Sequence, residues 1–524
     1  MMKRWNLGAL ALLLVGSGFV SGGANSLSGQ PEASRVSTVL VNEGEDESVG
    51  DLIAILRSGD KNRRRAAVNK LVKIGTKDAW EGVIEALDNE NAPAADEAQL
   101  DLADMADEKL FVTLFGRAGL GSKSRTVQLR VAELLGRRAA GVEAKRMKKA
   151  LKERDDEVRR LLLWSVERLA LEQRLLGEPE KELGSDLIKM MRRDSAPDVR
   201  GAALYAYVAI FGDEASAEWV AKLATDKAAG ARCAAARWMR LVEPAVPLAT
   251  KLLSDSEPSV RRAAVDGAAE LARKGDRAVM ALLIARLGSE ERPRVAWRIV
   301  DVLQSVSGMK YRRDPRPWQG WLKGLDDTWS AASQAEARGE VDRGEDTVAF
   351  AGLPILSDRV AFLIDLSGSI WNEKNGKLPK DLAGVQLDRA LDHLHEDTLF
   401  NVIPYTNTPF PWMEELVQAK PKAVKAGKAF FAECRERGAG NVYDAILVAL
   451  ADERCDSLVI LTDGAPSGGT RWNLNLLVPA LLEANRYRGV AFDSLLVGAD
   501  KYLTRHWQTL AKETGGECIS IELK

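Results

Sequence analysis

Cysteine is scarce: Cys233, Cys434, Cys455 and Cys518 are the four present in 524 residues, and no C-x-x-C pair occurs. That excludes a disulfide framework and a thiolate zinc centre. Cys455 and Cys518 open strand-like runs that a third strand should separate, so they cannot bridge directly and buried free thiols are expected. Histidine is scarcer still, with His393, His395 and His506 the only three. His393 and His395 stand two apart on a helical pattern and point to different faces, so they cannot share a metal as an i, i+4 pair would. No G-x-S-x-G elbow, no phosphate-cradling G-x-x-x-x-G-K-[ST] and no H-E-x-x-H is present. An excess of one charge is also missing. Lys and Arg number 74 against 76 Asp and Glu, and a net charge of −2 gives no overall pull toward nucleic acid or anionic membrane. The basic runs at 61–65 and 145–149 read as solvated helix faces, and no nucleic-acid partner is expected. Long apolar runs are confined to Leu7–Val20, behind Lys3 and Arg4. That length is short for a membrane span and right for a secretory signal core, with cleavage after Ala24. The chain is therefore expected to be exported, periplasmic or secreted, with retention by an uncleaved N-terminal anchor as the alternative. No later stretch reaches spanning length.

What is present is an ordinary globular composition, 46% apolar and 29% charged, in a chain long enough for two or three domains. Residues 25–47, rich in Ser, Gly, Asn and Glu, read as a flexible spacer after a signal peptide at 1–24. From 48 to 325 the pattern is helical and repetitive. Val260, Ala263, Ala264, Gly267, Ala268 and Leu271 follow the spacing of one buried helix face, and the same series recurs near Arg64 and starts again at Val127, Val158, Val199, Ala231 and Ala296. Successive starts lie 31, 41, 32, 29 and 36 residues apart, room for a helical hairpin each time. Such units bury their apolar faces only by stacking, which predicts an α-solenoid; a single globular helical domain is the alternative. The openings DDEVRR (155–160), APDVRG (196–201) and EPSVRR (257–262) resemble HEAT repeats. Asn91–Asp107, acidic and alanine-rich, breaks the spacing as an insertion or degenerate repeat. Trp318 and Trp321, behind Pro315 and Pro317, are placed to cap the open end of the helical core. Charged residues 326–355 form a linker.

Beyond residue 356 the periodicity changes. Val360–Ile364 is an apolar run of the kind buried on both faces of a parallel sheet, and it stops at Asp365, with Ser367 and Ser369 following and Gly368 between them. A second such run, CDSLVILTDG, ends in Asp463 and Gly464. Runs at Leu399–Tyr405, Leu458–Thr462, Ala491–Val497 and Glu517–Leu523 alternate with helix patterns at Gln386–Glu396, Pro421–Arg437, Asn441–Asp452, Leu474–Arg488 and Lys501–Thr514. The prediction is a doubly wound, mostly parallel, Rossmann-like sheet, so that the chain as a whole is α plus α/β. Adjacent strands end at one edge, where Asp365 and Asp463 can face a common point with both serines. Hard oxygen donors suit Mg2+ first, then Mn2+ or Ca2+.

With FLIDLSGS (362–369), FNVIPYTN (400–407), GAGNVYDAI (438–446) and LVILTDGAP (458–466), residues 356–524 resemble a von Willebrand factor A domain. The resemblance implies a metal-ion-dependent adhesion site in which Ser367 and Ser369 bind the cation directly and Asp365 and Asp463 act largely through water. The family's usual threonine falls on Gly440, so one ligand is missing unless water or Asn441 supplies it. The function implied is a non-enzymatic exported binding, adhesion or scaffold protein. Its cation would take a carboxylate from a partner's Asp or Glu, and the helical repeats would offer a second surface. One alternative is a vestigial metal site with a structural role. Another is a Mg2+-dependent haloacid-dehalogenase-like phosphohydrolase using Asp365 as nucleophile, which Ser367 disfavours because that chemistry uses an acid there.

Overall fold

A computed structural model describes residues 47–58, 61–88, 92–327, 329–331, 348–373 and 378–521. The expected signal segment at 1–24, the spacer up to residue 46 and the linker stretch 332–347 lie outside the described residues.

The helical region is a double layer. Inner helices Arg125–Arg137, Asp156–Leu171, Pro197–Leu223, Ala229–Arg237, Pro258–Arg273 and Pro293–Ser307 each begin two or three residues before the apolar starts read from the sequence. Gly212, at φ +77°, breaks the long third run, and its second half joins the outer layer of Ala144–Ala150, Pro179–Arg193, Ala245–Leu253, Arg277–Leu287 and Pro315–Lys323. Alanine dominates the buried positions, and the helices pack closely. A Cβ added at Gly267 would lie 2.1 Å from the Ala236 carbonyl oxygen. Trp318 is fully buried at the far end, edge-on to Tyr311 and Trp321. The interrupting stretch is itself helical, at Ala92–Asp104.

A repeated polar device joins consecutive units. Asp155, Asp194, Asp226, Asp255 and Glu290 each precede an inner helix, and each accepts a backbone N–H two or three residues on. Such an acceptor satisfies orphan donors at a helix start, and its charge suits the dipole there. The same acids take an arginine from the preceding inner helix. Arg159 reaches Asp194 at 3.0 Å, Arg200 reaches Asp226 at 2.7 Å, Arg232 reaches Asp255 at 2.7 Å and Arg261 reaches Glu290 at 2.8 Å. These arginines also donate to carbonyls of the turn behind them, so one side chain ties three successive segments.

The carboxy-terminal module is a six-stranded sheet of β1 (Arg359–Asp365), β2 (Leu399–Tyr405), β3 (Val417–Gln418), β4 (Ser457–Thr462), β5 (Ala491–Val497) and β6 (Cys518–Ile521). The order is β6-β5-β4-β1-β2-β3, parallel except for the short edge strand β3. Chain direction across the sheet reverses between β1 and β4, the crevice where doubly wound folds place ligands. Val360, Phe362 and Ile364 pack under helices α1 (Pro379–Asp392) and α2 (Pro421–Glu433), while Ala361 and Leu363 pack under α3 (Val442–Ala451), α4 (Leu474–Ala484) and α5 (Lys501–Thr514). Burial of both faces accounts for the unbroken apolar run of β1. The antiparallel pair Ala349–Phe350 and Leu353–Pro354 adds Phe350 and Leu353 to the first of these cores. Several helix boundaries differ from the sequence reading. Helices α1 and α4 end four residues before the expected Glu396 and Arg488, and α3 is one residue shorter at each end. Two further differences have a local cause. Pro379 starts α1 seven residues early, as suits its fixed φ at a first helical position. The second, α2, ends at Glu433 because Cys434 turns extended (ψ 128°), and the chain then runs out to pair with β1's exit loop.

The described residues form one compact unit, and the sheet module lies on the inner helices. Arg160 donates to Glu483 at 2.7 Å, Arg486 donates back to Glu167 at 2.7 Å and stacks 4.1 Å over Tyr205, and Arg262 donates to the Thr514 carbonyl at 3.2 Å. Tyr487 lies against the backbone of Gly201, where a Cβ would stand 2.8 Å from the ring. The broad surface expected of the repeats is thus partly occupied by the chain's own second module. Among the described residues no helix is long and apolar enough to cross a membrane.

Candidate functional site

Strand β1 delivers Asp365 to the carboxyl edge, where it pairs in register with Tyr405 of β2 and lies across from the end of β4. The following loop turns back on itself. Ser367 donates its N–H to Asp365 Oδ1 at 2.8 Å, and Gly368 donates to the Gly438 carbonyl at 3.1 Å. Thr462, the last residue of β4, donates its hydroxyl to Asp365 Oδ2 at 3.0 Å, and Asp463 follows it. Asp463 Oδ1 accepts the N–H of Ala465 at 3.1 Å.

The structure therefore gathers Asp365, Ser367 and Asp463 at one edge, with Gly440 facing them. A Cβ on Gly440 would stand 3.3 Å from Asp365 Oδ2 and 3.7 Å from the Ser367 Cβ. The position at which the von Willebrand factor A resemblance would place a threonine thus points a bare backbone into the site. Asn441 is engaged elsewhere: its Oδ1 accepts the Asp444 N–H at 3.2 Å as the cap of α3, and its Nδ2 donates to the Asn407 carbonyl at 2.9 Å. Ser369 lies in a single 3-10 turn, Gly368–Trp371, and its side chain lies outside the described residues.

Asp365 is 4% exposed. Burial pushes its pKa up to about 6, the Asp463 charge pushes in the same direction, and the hydrogen bonds from Ser367 and Thr462 oppose both. No basic side chain is among the principal influences on it. Asp365, Thr462 and Asp463 also line a partly open pocket of about 250 Å³ whose other walls are mostly apolar, among them Ile370, Leu382, Ala383, Leu495 and Val497. The Tyr405 hydroxyl, buried in the same layer, is held in its protonated form by burial and by the Asp365 charge. On the solvent side Arg437, next to Gly438, stacks 4.6 Å over the ring of Trp371, whose Nε1 donates to the Leu366 carbonyl at 3.1 Å.

As chemistry, this is a hard-oxygen cluster around a buried carboxyl held by hydrogen bonds rather than by a principal basic partner. It can hold a divalent cation, but only with help from hydroxyls and water. No group of three or more His, Cys, Asp and Glu side chains converges among the described residues. The four cysteines are unbridged, with β5 between those that flank β4 and open β6. Sequence reasoning passed over Thr462 and Ser467. Thr462 directly precedes the strand-end acid, which was signal enough. Ser467, whose hydroxyl accepts the Gly440 N–H at 2.8 Å, sits in a loop with no periodicity to place it.

Over 130 residues the chain is 31% identical to human inter-alpha-trypsin inhibitor heavy chain H3, covering 22% of this chain and 14% of that protein. Against human inter-alpha-trypsin inhibitor heavy chain H4 it is 29% identical over 130 residues, covering 22% and 13%. The chain thus spans about a seventh of the length of the curated relatives it matches. No family model matches it. Among solved structures, a von Willebrand factor type A protein from Catenulispora acidiphila aligns with 32% of this chain and 40% of its own, at 17% identity and a TM-score of 0.27.

Proposed function

We propose, from the premise that the carboxy-terminal module is a von Willebrand factor A domain, that this protein is an exported, non-enzymatic interaction scaffold. Its site would engage an acidic side chain of a protein partner through a divalent cation. The observation that carries this reading is the Asp365 carboxylate: buried, beside Asp463, and with no basic side chain among the principal influences on it. A hard cation is the group that best relieves such a charge, and the donors are oxygens throughout. Ser367 and Ser369 would supply hydroxyls, and Asp365 and Asp463 would act largely through water. The cation's contribution would be an open position that a carboxylate can fill. Arg437 at the rim favours an acidic visitor by charge.

The arginine ladder supports a HEAT-like reading of the helical region, and Leu7–Val20 supports export. Titration of the whole chain with Mg2+, Mn2+ and Ca2+ in a calorimeter, beside Asp365→Ala, tests the site. Heat in the native chain alone is expected, and silence with every cation refutes it. Recovery of a partner from the exported fraction only when chelator is absent would identify what is bound.

Gly440 favours one competing reading, an inert site with a structural role, which cation silence would support. Turnover in a phosphoester panel that Asp365→Asn abolishes would instead establish an enzyme.

A further inference from the structure

The loop that leaves Asp463 does not end within its own module. Its near half is stitched to the site: Ser467 donates its N–H to the Gly440 carbonyl at 3.1 Å while its hydroxyl accepts the Gly440 N–H, and Thr470 bonds to Asp444. Its far half is gripped by the helical region. Asp96 Oδ2 accepts the backbone N–H groups of Trp472 at 2.9 Å and Asn473 at 2.8 Å, while Asp96 Oδ1 accepts from Arg130 at 2.8 Å. Arg471 pairs with Glu133 and also donates to Gln99 at 3.3 Å, and Arg130 donates to the Thr470 carbonyl. Asp96 and Gln99 are fully buried and Glu133 nearly so. A buried acid that accepts two amides of another module is costly to detach, because separation breaks two charge-assisted hydrogen bonds and leaves Arg130 alone on the carboxylate.

We propose that Asp96 and Glu133 are positioning residues for the cation site. Holding residues 470–473 against the helices, they fix the run from Asp463 to Ser467 and, through Ser467, the Gly440 backbone that faces Asp365. The effect on cation affinity rests on the metal reading above; the hold on the loop does not. The helical region is then a fixed part of the binding apparatus, and a partner that shifted its helices would change the grip of the site on its ion.

The test uses the full chain and two measurements. Amide hydrogen exchange is followed over 438–441 and 463–473, and Mn2+ alone is titrated by calorimetry. Asp96→Asn is compared with Asp255→Asn, which damages a ladder acid bonded within the helical region. Asp96→Asn should speed exchange across 463–471 and at 440 by about tenfold and weaken Mn2+ binding by roughly three- to tenfold, while Asp255→Asn does neither. Glu133→Gln serves where Asp96→Asn fails to fold. Unchanged exchange overturns the proposal, and so does faster exchange with unchanged Mn2+ affinity. A native chain that ignores Mn2+ defeats the metal reading alone, and the exchange comparison still decides whether the helices hold the loop.

Discussion

Neighbouring arginines in the helical region face opposite ways. In the V-R-R openings, Arg159 and Arg261 stay within the array and pair with Asp194 and Glu290 of the next unit. The residues that follow them, Arg160 and Arg262, reach out of the array to Glu483 and the Thr514 carbonyl of the sheet module, Arg262 while also bonded to Asp266 of its own helix. One turn of sequence thus serves two purposes, internal stacking and external docking. Where the second position is Gly201, the space admits Tyr487. A repeat motif can therefore be uniform in its structural half and individual in its binding half.

Substitution separates the two halves. Arg261→Ala removes two hydrogen bonds to the buried Glu290 and two to turn carbonyls, leaving Arg286 to pair with that carboxylate, and should cost about 2–4 kcal/mol of whole-chain stability in urea. Arg262→Ala leaves Asp266 still paired with Arg298 and should cost only about 1–2 kcal/mol, showing chiefly as faster proteolysis between the modules. Equal losses would erase the distinction.

Asp365 gives the second largest effect. Its pKa in the folded chain, about 6, stands above the ordinary carboxyl value of 3.8. The folded state therefore holds this proton more tightly than the unfolded state. The contribution of this one group to stability is greatest below about pH 4, falls as the proton leaves through pH 6, and has lost up to about 3 kcal/mol above that. Asp456, which burial pushes up to about 7, adds a further decline. In cation-free buffer Asp365→Asn should flatten the first decline and keep the second, as read from denaturation midpoints between pH 4 and 8. Parallel curves for the two proteins would refute this.

Crowding the docking face comes next. Gly201→Val drives a side chain into Tyr487 and should destabilise by about 1–3 kcal/mol, with the modules loosened in small-angle scattering. The smallest change is a gain. Gly440→Thr places a hydroxyl beside Asp365 and should tighten Mg2+ by about tenfold, roughly 1.4 kcal/mol; no gain in calorimetry would mean that the missing threonine does not limit the site.

Local regularities were legible in the sequence. Leu399–Tyr405 and Ala491–Val497 have the bounds their apolar runs predict, and the inner helices follow the Val and Ala starts because burial of one face dictates both. Asp365 and Asp463 could be paired from strand-end chemistry alone. Other features could not be read. Asn91–Asp107 looked like an interruption, and nothing local marks Asp96 as the acceptor for amides some 376 residues away. Nor does V-R-R reveal which arginine turns outward. Those choices are set by what lies across a contact between distant segments, and periodicity carries no information about that.

The ladder places no limit on how many units could be stacked, since each joint repeats the last. The docking arginines do. Arg160 and Arg262 grip landmarks at fixed places on one rigid body, and an extra unit inserted between them would displace one grip by about 8–10 Å. The sheet module therefore acts as a gauge: it sets the register of the helices beneath it, and repeats can be gained without penalty only outside the span it covers.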